Sequence, residues 1–244
     1  MDIYGRLAPH YDRLFPVSEA QAAFLRARLA AAGARRVLDA GCGTGRHLEL
    51  LAGWGFAAAG LEPDPAMAAL ARARVGAGTP VAMAGMETAA AALTGPFDAA
   101  LCLGNTLAHL AAPGALAGGL AALATLLAPG GLLIVQTVNF DRVLAAGRAD
   151  FPERRLDDGA GGTLVFRRDY DFAAAPARLG FRLSLSGPGL DLADTIDLLP
   201  LRRAELEAAL AAAGFAPREA CGDWDGSAWQ ETAPATLLLA TFSR

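Results

Sequence analysis

Over residues 18–141, short apolar runs alternate with longer amphipathic stretches. Ser18 followed by Gln21 has the form of a capping box and opens a helix running to about Gly33, with Phe24, Leu25 and Leu29 as its apolar face. Arg36-Val37-Leu38-Asp39-Ala40 predicts a buried strand ending in the cluster Gly41-Cys42-Gly43-Thr44-Gly45. Next come a helix over 46–54, a strand over 56–62 and a helix over 65–75, with Pro65 suited to a first helical turn. Residues 80–83 and 97–103 read as strands. Residues 115–127 read as a helix stopped by Pro129-Gly130-Gly131, and 132–138 as a further strand. Strand and helix repeated in this way predict a parallel sheet with helices on both faces.

The pattern changes after Asp141. Residues 163–172, 181–186 and 195–199 alternate or carry β-forming side chains with no long helix between them. In the first, Leu164, Phe166 and Arg168 share one face, while Val165, Arg167, Asp169 and Asp171 share the other. These segments predict a three-stranded antiparallel insertion. A helix over 201–213 closed by Gly214, and strands over 216–221 and 236–242, then resume the α/β pattern. The expected organisation is an N-terminal cap and helix (1–35), a cofactor-binding core (36–146), an antiparallel lid (147–200) and a C-terminal completion of the core sheet (201–244). Trp224 and Trp229 flank a loop and are expected to pack beneath the insertion.

Composition narrows the chemistry. A chain of 244 residues, 54% hydrophobic and 19% charged, is long enough for a substantial core and is not globally disordered. Its net charge of -4 suggests no basic surface for nucleic acid. All 21 basic residues are arginine, which excludes a phosphate loop with its lysine and a pyridoxal Schiff base. Cys42, Cys102 and Cys221 stand far apart, and His10, His47 and His109 lack metal-ligand spacing, so neither disulfides nor a metal site is expected. Residues 99–140 carry no formal charge, yet Pro113-Gly114, Gly118-Gly119 and Pro129-Gly130-Gly131 break the stretch before a membrane span is reached. The N-terminus lacks an apolar signal core. A cytoplasmic protein without membrane or nucleic-acid partners is expected, and a homodimer is left open.

The glycine cluster lies between a predicted strand and a predicted helix, where glycines let the backbone approach a ligand closely. Open α/β sheets bind ligands at the C-terminal ends of their strands. The dinucleotide pattern GxGxxG requires a glycine at 46, where Arg46 stands. An acid followed by Gly-x-Gly-x-Gly suits S-adenosylmethionine, which has no pyrophosphate but carries an amino acid, a ribose and a sulfonium. Asp39 is placed to attract its ammonium, directly or through water. Glu62, 23 positions further on, is able to accept both ribose hydroxyl hydrogens. Nicotinamide enzymes use the same carboxylate device. A nicotinamide oxidoreductase therefore stays open, as does a cofactor-binding sensor or assembly subunit without transfer activity.

Val37-Leu38-Asp39-Ala40-Gly41-Cys42-Gly43-Thr44-Gly45 resembles the first motif of the class I S-adenosylmethionine-dependent methyltransferases. Gly60-Leu61-Glu62-Pro63-Asp64-Pro65-Ala66-Met67 resembles their second, and Leu126-Leu127-Ala128-Pro129-Gly130-Gly131-Leu132-Leu133-Ile134 the segment leading into their fifth strand. Together these cover roughly residues 19–141. Cys102-Leu103-Gly104-Asn105-Thr106-Leu107-Ala108-His109-Leu110 and Val138-Asn139-Phe140-Asp141, with the insertion, resemble the glycine and sarcosine N-methyltransferase group. The resemblance implies a doubly wound, Rossmann-like α/β sheet of seven strands, mostly parallel with an antiparallel seventh. It implies methyl transfer from S-adenosylmethionine to nitrogen or oxygen of a small molecule by in-line displacement.

By the same resemblance, Asp39, Gly41, Cys42, Gly43, Gly45 and Glu62 contact the cofactor, Gly85 and Met86 meet its adenine, and Leu103 and His109 meet its methionine part. Asn105 and Asn139 are expected at the acceptor. Tyr11, in a segment that resembles the cover over the cofactor in related enzymes, and His109 are the candidates to assist proton loss. Many relatives carry an aspartate at position 85, so the adenine amine is left here to backbone or Glu87. The glycine enzymes carry an arginine immediately before the Asn-aromatic-Asp run, where this chain has Val138. A valine gives a carboxylate no hydrogen bond, so free glycine is not the expected acceptor. A larger, less anionic molecule is expected, with Arg167 or Arg168 as the available replacements for the missing arginine.

Overall fold

The computed structural model describes residues 3–149 and 151–243. Two short helices that the sequence pattern does not announce, α1 (Ile3–Leu7) and α2 (Tyr11–Leu14), precede α3 (Glu19–Ala31). Ser18 caps α3 by accepting the Gln21 N–H at 3.1 Å. The core then alternates β1 (Arg36–Ala40), α4 (Arg46–Gly53), β2 (Ala57–Leu61), α5 (Pro65–Val75), β3 (Val81–Ala82), α6 (Ala89–Ala92), β4 (Phe97–Cys102), α7 (Ala115–Leu126), β5 (Leu127–Val138) and α8 (Phe140–Ala146). Next come β6 (Arg154–Asp157), β7 (Thr163–Asp171), β8 (Leu179–Gly187) and β9 (Leu190–Leu198), and finally α9 (Arg203–Ala212), β10 (Phe215–Cys221) and β11 (Ala235–Phe242).

The main sheet has seven strands in the order β10-β11-β5-β4-β1-β2-β3. β11 runs antiparallel to both neighbours, and the pairings from β5 to β3 are parallel. This is the doubly wound arrangement expected from the sequence, antiparallel seventh strand included. Phe24, Leu25, Leu48, Leu51 and Ala71, from α3 to α5, fill the core on one face of the sheet. Leu120, Leu123, Leu206 and Leu210, from α7 and α9, fill it on the other. Helices on both faces explain why β1 and β4 read as apolar runs rather than alternating strands. The chain winds outward from β1 through β2 in one direction and through β4 in the other. The crevice at the C-terminal ends of β1 and β4 is the ligand position that such a reversal creates.

The second sheet contains four antiparallel strands, β6-β7-β8-β9, rather than the three expected. The additional strand is Arg154-Arg155-Leu156-Asp157, paired so that Leu156 faces Leu164. One apolar side chain among four leaves no alternation to detect, and the backbone ladder makes the strand. Across one face, Leu164, Phe166, Leu183, Leu185 and Leu192 pack against Ile3, Leu7 and Leu14. Further along, Tyr170, Leu179 and Leu198 pack against Phe140, Val143 and Ala108. The second sheet is thereby anchored beside the C-terminal ends of β4 and β5. Trp224 departs from expectation: it packs on Phe24 of α3, ring centroids 5.7 Å apart, in the core of the main sheet. Trp229 Nε1 donates to Thr236 Oγ1 at 3.0 Å. Among the described residues, no helix is long and apolar enough to cross a membrane.

Candidate active site

Backbone geometry at the end of β1 sets the first wall of the site. The N–H groups of Gly41 and Cys42 both donate to the Leu61 carbonyl, at 2.8 and 3.0 Å, tying the glycine loop to the end of β2. Gly41, with φ +86°, lies where a Cβ would fall 2.7 Å from the Thr106 side chain. The absence of that Cβ lets the loop after β4 close on the loop after β1. Gly45 serves packing instead: at φ +82°, its Cβ would stand 2.9 Å from Ala71 Cα on α5. Glu62 completes this wall. Its Oε2 accepts the Gly43 N–H and its Oε1 the Asp64 N–H, both at 2.9 Å, while Asp64 caps α5 through the Ala66 and Met67 N–H groups.

The opposite wall is the loop after β4. Gly104 and Asn105 are both left-handed, with φ +67° and +70°. Gln136 of β5 holds them, its Oε1 accepting the Gly104 N–H at 2.7 Å and its backbone carbonyl the Asn105 N–H at 3.1 Å. Asn105 Oδ1 accepts the Val138 N–H at 3.2 Å. A single helical turn, Thr106–His109, then presents its first and last side chains to the crevice.

Between these walls lies a cavity of about 490 Å³, lined by Tyr4, Tyr11, Gly41, Glu62, Thr106 and His109 among others. Cofactor and small-molecule sites span about 300–1,000 Å³. A narrow extension of about 80 Å³ reaches past Cys42 and Leu103 toward His47 and Phe15. Tyr4 Oη lies 3.2 Å from His109 Nε2, with the rings edge-on and their centroids 5.3 Å apart. The N-terminal segment is pinned over the loop by Asp12, which accepts from Thr44 Oγ1 and from Arg74. Arg74 Nε in turn donates to the Thr44 carbonyl at 2.9 Å.

Among the described residues, no arginine lines the main cavity, whereas Glu62 and Asp64 do. Asp39 is 1% exposed and its Oδ2 has no hydrogen-bond partner. Burial, reinforced by Glu62, raises its pKa to about 7. His47 Nδ1 stands 4.0 Å from that oxygen, but burial and then Arg46 hold His47 down to about 4. The imidazole is therefore neutral at pH 7 and makes no ion pair. Burial is also the main cause of the raised pKa of Glu62. Tyr11 is pushed up to about 12, first by burial and then by Glu62 and Asp12, so it stays a neutral phenol. Two crowded carboxylates, one with an orphaned buried oxygen, fit a ligand that brings a positive charge and hydroxyl donors. An ammonium and a ribose meet those requirements.

The structure brings together Tyr11, Gly41, Gly43, Glu62 and His109, with Cys42 and Leu103 along the extension and Asp39 buried behind it. The Cys42 thiol turns toward Gly60 and the core, and burial pushes its pKa up. Gly45, Gly85, Met86, Asn105 and Asn139 do not line the cavity. Met86 runs into the core beside Gly119, leaving its backbone as the part able to meet an adenine. Asn105 is used to hold its own turn on β5. Asn139 is fully buried: its Nδ2 donates to the carbonyls of Gln230, Glu231 and Ala233, and its Oδ1 accepts the Arg142 N–H. With every polar atom engaged, it organises the start of α8 rather than reaching an acceptor. Sequence reading missed Tyr4, Thr106, Met67, Gln136 and the Asp12–Arg74 pin. Met67 and Thr106 lie within motifs already singled out and Tyr4 lies seven residues before Tyr11, whereas Asp12 and Arg74 are far apart in sequence and leave no local signal.

Comparison with known proteins agrees with this geometry. A family model described as a methyltransferase domain matches residues 6–220. A ubiquinone biosynthesis O-methyltransferase of Xanthomonas axonopodis pv. citri (strain 306) is 32% identical over 166 residues, 66% of this chain and 67% of that protein. A glycine/sarcosine N-methyltransferase of Parasynechococcus marenigrum (strain WH8102) is 29% identical over 227 residues, 88% of this chain and 76% of that protein. Among solved structures, CalS10 bound to S-adenosylmethionine, an amino pentose methyltransferase of Micromonospora echinaspora, is 29% identical with a TM-score of 0.68. That match covers 91% of this chain and 90% of the other. The family match spans most of the sequence and the switch-point site has the charge pattern the cofactor requires; the chain belongs to the methyltransferase domain family, as a class I S-adenosylmethionine-dependent enzyme.

Proposed function

We propose that the chain methylates a nitrogen or oxygen atom of a small-molecule acceptor, with the acceptor entering between the N-terminal segment, the turn after β4 and the second sheet. The observation that carries this reading is the Tyr4–His109 pair, which faces the same cavity as Glu62 and the glycine loop. S-adenosylmethionine supplies a methyl group already activated by its sulfonium. Glu62 takes the ribose hydroxyls on the carboxylate lone pairs left free by the Gly43 and Asp64 N–H groups, and Asp39 answers the ammonium. His109 receives the proton that the acceptor sheds, and Tyr4 orients its ring. Tyr11, kept protonated by burial, donates a hydrogen bond instead of acting as a base. Positioning and exclusion of water by the pinned N-terminal segment supply most of the acceleration, since orientation is worth roughly 7–11 kcal/mol.

The relatives support a small acceptor, since they include an amino pentose methyltransferase, a glycine/sarcosine N-methyltransferase and a ubiquinone biosynthesis O-methyltransferase. Val138 argues against free glycine. The test is release of S-adenosylhomocysteine over a panel of amines, amino sugars, phenols, glycine and sarcosine. Turnover is expected with a member larger than glycine. A protein that binds S-adenosylmethionine yet methylates nothing in a broad panel is instead a binding subunit. Glycine emerging as the best acceptor, with turnover insensitive to change at Val138, overturns the exclusion of glycine.

A further inference from the structure

The second sheet presents an arginine toward the protein interior for which the chemistry above has no use. Arg168 stands on the apolar face of β7, between Phe166 and Tyr170 and opposite Leu183 of β8. Its guanidinium lies among three aromatic rings, 4.8 Å from the Phe151 centroid, 5.4 Å from Phe166 and 5.6 Å from Phe15. Its Nε is buried without a hydrogen-bond partner. Arg154, opposite Phe166 on β6, faces the same side and donates to the Leu14 carbonyl. Among the described residues neither arginine has an acidic partner. Asp194 shares the face beyond Leu183, but it is exposed and accepts the N–H of Thr195. Arg167 points the other way and pairs with Glu153 at 2.8 Å.

Stacking on rings offsets part of the cost of drawing a guanidinium out of water, but it leaves the planar donor fork empty and two like charges on one face. Burial, with Arg154 adding repulsion, lowers the pKa of Arg168. A bound anion resolves both problems. The location gives that anion a role. Phe15, which touches Arg168, also lines the extension of the cofactor cavity, and its ring lies 4.8 Å from that of Tyr11. The rings of Phe15 and Tyr11 thus link Arg168 to the cavity wall, although Arg168 itself lines neither the cavity nor its extension.

We propose that Arg168, assisted by Arg154, binds an anionic group of the acceptor, a carboxylate or a phosphate ester, at the end remote from the methylated atom. Aromatic walls then hold the body of the acceptor between the two ends. This rests on the reading that the acceptor enters beneath the second sheet. It replaces the expectation of a less anionic acceptor while keeping that of a larger one.

The test is binding to the S-adenosylhomocysteine-loaded protein of matched probes: glucosamine 6-phosphate against glucosamine, and 4-(aminomethyl)benzoate against 4-(aminomethyl)benzamide. The anionic member of at least one pair is expected to bind tenfold or more tightly at low salt, and the responding pair distinguishes phosphate from carboxylate. Arg168→Gln removes the preference, Arg168→Lys retains part of it, and Arg167→Gln leaves it intact. S-adenosylmethionine affinity, measured separately, stays unchanged in all three. Equal binding of charged and neutral probes to the wild-type protein overturns the proposal, as does a preference that survives Arg168→Gln. Should Arg168→Gln fail to fold, the wild-type comparison and Arg168→Lys decide. Failure to bind S-adenosylmethionine at all sinks the underlying reading instead.

Discussion

At the glycine loop, backbone does most of the positioning: Gly41, Cys42 and Gly43 are fixed by main-chain donors within a few residues of β1 and β2. At the second sheet, side chains from α1, α2 and β6 to β9 must meet across more than a hundred residues of sequence, as Phe15 and Phe166 do at 5.6 Å. The first region is a local solution to binding a fixed cofactor, and short sequence runs suffice to specify it. The second is assembled from distant parts, which allows its chemistry to change while the loop stays as it is. This contrast explains why the cofactor follows readily from the chain and the acceptor does not.

The sharpest break in the comparison comes at the loop. Gly41→Val places a branched side chain on Thr106 at positive φ, so S-adenosylmethionine affinity should fall at least a hundredfold in calorimetry. Gly43→Val, whose Cβ approaches Tyr11 Cε1 at 3.7 Å, should cost less than Gly41→Val but more than loss of a single side-chain contact. The reverse order would shift the critical approach from the Gly41–Thr106 contact to Gly43.

Asp39 gives the next effect, with opposite signs for stability and binding. Its pKa in the folded protein, about 7, exceeds that of an unfolded aspartate. The stability carried by its protonated form is present at acid pH and is lost as the pH rises through 7. Asp39→Asn should therefore stabilise the free protein at pH 8 by roughly 4 kcal/mol at most, a gain that vanishes by about pH 4. Wild-type affinity for the cofactor should weaken as the pH falls below 7, and the variant should lose that dependence along with much of its affinity. Identical pH profiles in the two proteins would place the ammonium elsewhere. Away from the cavity, Asn139→Ala should lower stability by about 1–3 kcal/mol, since it removes a buried amide that ties three partly buried carbonyls to the start of α8. Cofactor affinity should not change, and a selective effect on acceptor KM would return Asn139 to the site.

The sheet was legible because its strands are buried on both faces and its turns carry glycine or proline. β6 was not, because one leucine among four residues gives no period. Glu62 and Gly41 were legible from spacing, whereas Asn139 carried the right residue type in the right motif and serves a loop instead. Only the positions of Gln230, Glu231 and Ala233, about ninety residues on, reveal that role. The inward face of Arg168 follows from strand alternation, yet its lack of an anionic partner among the described residues is a tertiary fact that no local pattern contains.

Calorimetric titration with S-adenosylmethionine and, separately, with NAD, repeated on Glu62→Ala, addresses the central claim most directly. The account predicts one S-adenosylmethionine per chain, no NAD binding, and a loss of about 1–3 kcal/mol in the variant from charge-assisted ribose bonds. Unchanged affinity in a folded Glu62→Ala protein, or preferential binding of NAD, would contradict it.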